Sequence, residues 1–279
     1  MTNDILNISV CQFKIEDDKF KNISKAKEQI DLAFQKSKKI NFIVLPECFV
    51  CPYDINIFKE NSEPINNLFD SIESPATCML RESSLKYPDV YIIGGSIIES
   101  EYIEQLGKKL YYNTCLVFYN GNIIGKYRKI NLYKINLKEH KYCEADVLDH
   151  GDTPVIIQTK FAKIGIGICY DLRFNELARY YQENDCKIIF YPGSFNRFTG
   201  PKHWLPLQLV RAIDNQLFVV SCSSACNFNS EYESYGKSYI ISPWGRILNE
   251  TELDKEEVIS ASIDLDEVTS TRENIPILL

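Results

Sequence analysis

With 279 residues, 45% of them hydrophobic and 25% charged, the chain has the composition of an ordinary globular protein, long enough for one large α/β domain or two small ones. A net charge of −7 and a pI near 5.2 argue against nucleic acid as a partner, and the apolar runs are too short to span a membrane. The N-terminal MTNDILNISV carries no basic region, apolar segment or cleavage site, and ten cysteines are scattered through the chain; together these predict reduced thiols in a cytoplasmic protein rather than a disulfide framework.

Ile8–Phe13 reads as an opening strand. A helix follows over Asn22–Lys38, with Ile23, Ala26, Ile30, Ala33 and Phe34 on one face. Phe42–Leu45 is a second strand, and the βαβ order predicts that these two strands run parallel. Pro75–Lys86 is a helix that starts on its proline, and Val90–Ile98 a strand leading into a Glu-rich loop. Tyr111–Tyr119 and Ile123–Arg128 flank Asn120-Gly121, the signature of a tight hairpin. Asn131–Asp152 is polar and irregular, the pattern of a long functional loop. Strands are expected over Val155–Ile157, Ile164–Ile168, Phe218–Ser223, Tyr239–Ser242 and Val258–Ile263. A helix is expected over Trp204–Asn215, a turn at Pro243-Trp244-Gly245, and Asp266 as the cap of a last helix. Mixed βαβ units and hairpins predict one mixed sheet, or two packed sheets with helices outside.

The chemistry concentrates where predicted strands end. The β-branched run Ile164–Ile168 stops at Cys169, and Phe174, Leu177, Ala178 and Tyr181 then recur at helical spacing. A cysteine at such a junction is a candidate nucleophile, its thiolate favoured by the partial positive charge of helix N–H groups; the alternative is a buried structural thiol. Glu47, just after the second strand, is a candidate base if burial raises its pKa, and otherwise a strand-end cap. Lys129, at the end of the hairpin, could offset thiolate and oxyanion charge, or be plain surface charge. The three histidines, His140, His150 and His203, allow a Cys–His dyad, but no spacing supports one. The pairs Cys48/Cys51 and Cys222/Cys226 could in principle hold zinc, but the first flanks an apolar stretch and the second has no His partner, so no metal is expected. Gly165-x-Gly167 lacks the third glycine of a dinucleotide fingerprint.

Taken together, Leu45-Pro46-Glu47-Cys48-Phe49 with Pro52-Tyr53, Lys126-Tyr127-Arg128-Lys129-Ile130-Asn131-Leu132, and Gly165-Ile166-Gly167-Ile168-Cys169-Tyr170-Asp171-Leu172-Arg173-Phe174 resemble the nitrilase superfamily, the carbon–nitrogen hydrolases. The order Glu, Lys, Cys matches that family's triad. The resemblance implies one domain over residues 1–279, a four-layer αββα sandwich, a homodimer formed through a helical face, and no cofactor or metal. It implies Glu47, Lys129 and Cys169 as catalytic residues, Glu144 as a second glutamate, and the Tyr170 backbone N–H as an oxyanion donor. Tyr191–Asn196, Thr199-Gly200-Pro201, His203-Trp204, Arg211–Gln216 and Ser242–Gly245 resemble the ω-amidase branch, whose substrates are α-ketoglutaramate and α-ketosuccinamate. A sister branch acting on deaminated glutathione, and enzymes acting on N-carbamoyl amides, are the alternatives, with a catalytically idle scaffold as the reading from another class. Tyr53, Arg173, Phe195, Asn196, Arg197, Thr199 and Lys202 form the pool for substrate binding. Of these, Arg173 is expected rather as a structural ion-pair partner of nearby carboxylates.

Overall fold

The structure, a computed structural model, describes residues 5–37, 39–65, 72–138, 141–230 and 232–277; His140, and Lys38 at the expected end of the first helix, lie outside these. Strand β1 (Ile5–Gln12) leads to helix α1 (Lys19–Lys36), which is capped by Asp18, whose carboxylate accepts from the Phe20 and Lys21 N–H groups. Strand β2 (Phe42–Val44) returns parallel to β1, as the βαβ order requires. Helix α2 (Pro75–Lys86) matches its predicted span, proline included.

The expected strand over Val90–Ile98 is instead two, β3 (Tyr91–Ile93) and β4 (Ile97–Ile103), and the second absorbs much of the Glu-rich segment. The break falls at Gly94-Gly95-Ser96. Gly95 has φ +61°, and a Cβ there would lie 2.1 Å from the Pro46 carbonyl oxygen, so the chain must turn where only glycine fits. Strands β5 (Lys108–Tyr119) and β6 (Asn122–Arg128) form the hairpin about Asn120-Gly121.

These strands and β15 (Glu257–Asp264) build one sheet in the order β15-β1-β2-β3-β5-β4, with β6 on β5. Strands β7 (Lys134–Asn136) and β8 (Lys141–Cys143) pair with each other, and a second large sheet contains β9 (Ile156–Gln158), β10 (Lys163–Ile166), β11 (Cys186–Gly193), β12 (Phe218–Ser223), β13 (Tyr239–Ile241) and β14 (Ile247–Glu250), neighbours in chain order. Strand β11 is parallel to both β10 and β12; β11 and β14 had no counterpart in the elements read from the sequence. Asp266 is the first residue of its helix (Asp266–Asn274) rather than the cap; its N–H donates to Asp264 Oδ1.

The period-2 geometry of the strands sorts their side chains between two cores. Leu6, Ile8 and Val10 of β1, Phe42 and Val44 of β2, and Tyr91 and Ile93 of β3 face the second sheet's Ile164, Ile166 and Phe190. Their neighbours Cys11, Ile43 and Ile92 join Ala26, Ile30, Ala33 and Leu80 beneath α1 and α2. Helices α3 (Asn175–Glu183) and α4 (Gly200–Asn215) cover the other sheet through Leu177, Ala178, Trp204 and Ala212. The result is the expected four-layer αββα sandwich. Among the described residues no helix is long and apolar enough to cross a membrane.

Candidate active site

Each of the three residues picked out at strand ends is buried, and they converge. Glu47 is reached from β2 through Leu45-Pro46, and the turn carrying it is locked to the Gly94–Ser96 break: the Cys48 N–H donates to Ser96 Oγ at 2.9 Å and the Ser96 N–H to the Pro46 carbonyl at 3.2 Å. Lys129 follows β6, with its backbone pinned on both sides by Asn113 and Gly151. Cys169 follows β10 and opens a 3-10 turn, Cys169–Arg173, that precedes α3. The cysteine itself has φ +48°, a conformation costing about 1–3 kcal/mol that surrounding structure must sustain.

What sustains it is Asp171. Its carboxylate accepts from the Ile168 N–H at 2.9 Å within the turn, and from the Tyr127 hydroxyl at 2.7 Å and the Asn131 N–H at 2.9 Å on either side of Lys129. One buried carboxylate thereby ties the cysteine turn to the lysine-bearing strand end, across the two sheets.

The charged cluster is compact. Lys129 Nζ lies 2.8 Å from Glu47 Oε1, 2.9 Å from Glu144 Oε2 and 3.1 Å from the Tyr53 hydroxyl. Tyr53 donates to Glu144 Oε1 at 2.6 Å. Asn113 Nδ2 donates to Glu47 Oε1 at 3.0 Å, and the Tyr133 N–H donates to Glu144. Burial alone would push the Lys129 ammonium toward neutrality; Glu144 and Glu47 reverse that and hold it well above the ordinary lysine value. Burial raises the Glu47 carboxyl, with Lys129 opposing and Glu144 adding to the shift. Glu47 Oε2 is buried without a hydrogen-bond partner.

The Cys169 thiol is also pushed well above its ordinary value, by burial first and then by the Glu47 carboxylate, with Lys129 opposing. This corrects the expectation of a thiolate stabilised by a helix terminus. The α-helix begins only at Asn175, a turn away, and burial beside a carboxylate disfavours the thiolate. The sulfur accepts one hydrogen bond, from the Ser194 N–H at 3.4 Å. Such a thiol needs a base, and Glu47 is beside it.

A pocket opens on Cys169, lined by Tyr53, Tyr133, Tyr170, Arg173, Ser194, Phe195, Asn196, Thr199 and Tyr232. Arg173 is not the structural ion-pair partner expected: among the described residues it pairs with no carboxylate. Its guanidinium lies 4.9 Å from the Phe195 ring centroid and 5.5 Å from that of Tyr170, with Nη1 3.3 Å from His203 Nδ1. Asn196 and Thr199 face the pocket but are bonded to each other and, through Asn196 Nδ2, to the Tyr133 hydroxyl. Arg197 is half-exposed and paired with Glu233 at 3.2 Å, and Lys202 is exposed on the first turn of α4; neither lines the pocket. His150 contacts only the neighbouring Gly151 carbonyl among the described hydrogen bonds. Residues not singled out from the sequence are Asn113, Tyr133, Ser194 and Tyr232. Of these, Asn113 is readable as a polar residue inside an apolar strand, and Ser194 lies within the Tyr191–Asn196 stretch that carries the resemblance.

A carbon–nitrogen hydrolase family model matches residues 7–273. The chain belongs to the carbon–nitrogen hydrolase family. Among this family's members, it is 40% identical to the omega-amidase NIT2 of Xenopus tropicalis over 97% of this chain and 92% of that protein. It is 41% identical to the chloroplastic omega-amidase of Arabidopsis thaliana, covering 97% of this chain and 71% of that protein. The crystal structure of Saccharomyces cerevisiae Nit3, a member of branch 10 of the nitrilase superfamily, superposes with a TM-score of 0.87 at 34% identity, covering 99% of this chain and 96% of that one.

Proposed function

We propose that the protein is an ω-amidase, hydrolysing the terminal amide of small ω-amido dicarboxylates such as α-ketoglutaramate and α-ketosuccinamate to the acid and ammonia. The observation that carries this is the Cys169 thiol beside the buried Glu47 carboxylate, backed by the buried Lys129 ammonium, in a member of this family. Glu47 removes the Cys169 proton, and the sulfur attacks the amide carbon. Lys129 and the Tyr170 N–H stabilise the oxyanion, and Glu47 returns the proton to the departing ammonia. A thioester is left, which water hydrolyses with Glu47 again as base. Glu144, bonded to Lys129, Tyr53 and the Tyr133 N–H, acts by positioning the lysine.

Arg173, which has no carboxylate partner among the described residues, supplies the cation for the substrate's far carboxylate. The whole chain acts as one catalytic domain. It pairs as a homodimer through the outer helical face, where Tyr180, Ile213, Trp244 and Ile275 stand exposed. Ten free thiols suit a cytoplasmic enzyme. The deciding assay is ammonia release from α-ketoglutaramate against deaminated glutathione, with Cys169→Ala as control. Preference for the tripeptide analogue would refute the substrate assignment, and turnover by the Ala variant would refute the mechanism.

A further inference from the structure

A second cavity lies behind the substrate pocket. It is lined by Glu47, Ile15, Ser224, Ala225, Asn227, Ser230 and Ser234, and shares Tyr53, Ser194 and Tyr232 with the first. The two cavities divide the reacting groups: Cys169 lines the front one and Glu47 the rear one. Part of the rear wall is hydroxylic, and Ile15, Cys48, Cys51 and Pro52 also line it. Ser194 Oγ lies 3.1 Å from Ser224 Oγ, which lies 2.9 Å from Ser234 Oγ. The cavity's volume is about 20 Å³, and one water needs ~10–15 Å³ with two to four polar partners.

We propose, resting on the amidase reading, that this rear chamber holds and delivers the water that hydrolyses the thioester. Once the acyl group is on Cys169 it fills the front pocket, between Tyr133, Tyr170 and Phe195, and blocks that approach. Glu47 is the base for the step, and it lines this chamber while Cys169 does not. Water held among Ser194, Ser224 and Ser234 gives a proton to Glu47 as its oxygen bonds to the thioester carbon. The carbon–sulfur bond breaks, and the sulfur takes that proton from Glu47 to restore the thiol.

The test uses an activated ester of the substrate acid, which acylates fast and makes thioester hydrolysis the slow step. Ala225→Val narrows the chamber, and Ser230→Leu obstructs its half-buried rim without disturbing the buried core. The expected result is an acylation burst of wild-type rate and amplitude. It is followed by turnover slowed about 10-fold or more, short of the ~10²–10⁴-fold of losing a general base, with the acyl adduct visible by intact mass. Unchanged steady-state turnover in both variants overturns the chamber. So does a burst slowed as much as the turnover, because the substitution then acts on Cys169 or Glu47 themselves. A wild type that releases no ammonia from any amide sinks the amidase reading, and the chamber's role with it.

Discussion

Replacing Lys129 with methionine tests the electrostatic logic of the site. The variant keeps the length of the side chain and removes a charge that sits 2.8 Å from Glu47 and 2.9 Å from Glu144, all three side chains being inaccessible to solvent. Two carboxylates then share a dry site with no cation. Breaking a buried pair from one side costs about 3–5 kcal/mol, against a total of about 5–15 kcal/mol for a typical domain. The penalty depends on pH. With the lysine gone, one carboxyl is raised further above its unfolded value of ~4.3 and the native state takes up a proton. Between those two values the native state binds more protons than the unfolded chain. Stability therefore falls as pH rises, by about 1.4 kcal/mol per unit for one proton. Urea unfolding of both proteins from pH 5 to pH 8 reads this directly: the deficit of the variant should be smallest at pH 5 and grow toward pH 8. A deficit under about 1 kcal/mol, or one flat across that range, would refute the claim that this ammonium holds the carboxylates in place.

Cys169→Ser should lose nearly all turnover, because a buried serine hydroxyl is far harder to ionise than a thiol already raised by its surroundings; a variant within about 10-fold of wild-type kcat contradicts the nucleophile assignment. Arg173→Ala should raise KM for α-ketoglutaramate by about 10-fold or more with kcat less affected, whereas Arg197→Ala and Lys202→Ala should leave KM unchanged, as side chains outside the pocket; steady-state kinetics of the three separate these outcomes. Gly95→Ala should reduce kcat well over 10-fold, since its Cβ would meet the Pro46 carbonyl at 2.1 Å and displace Glu47; kinetics matching wild type would show that the Pro46–Glu47 turn tolerates movement.

The residues that end strands were the readable ones. Glu47 and Cys169 each follow an apolar run that stops abruptly, and Lys129 follows the second arm of a hairpin marked by Asn120-Gly121, so local pattern suffices to see all three. Helix α2 and strand β12 were bounded by proline and by turn residues, so their limits were legible too. Strand β11 was not, because its buried run merges with the loop and helix on either side without a periodic signal. The loop over Asn131–Asp152 hides a small hairpin, Lys134–Asn136 with Lys141–Cys143, whose short polar strands alternate too briefly to register. Arg173 was misread for a different reason. An arginine two residues from Asp171 looks paired, yet that carboxylate is already satisfied by Tyr127, Asn131 and the Ile168 N–H, a fact of long-range packing. The same holds for the thiol: helix proximity is visible in one dimension, and desolvation is not.

Asp171 has a consequence for how the protein acquires activity. Glu47 and Lys129 hang from one sheet and Cys169 from the other, so neither sheet alone contains a working site, and the Asp171 hydrogen bonds can close only when the two faces have docked in register. Catalytic competence should therefore reappear during refolding in step with sheet-on-sheet docking and never with the earlier gain of backbone structure, which makes turnover itself a reporter of the last assembly event.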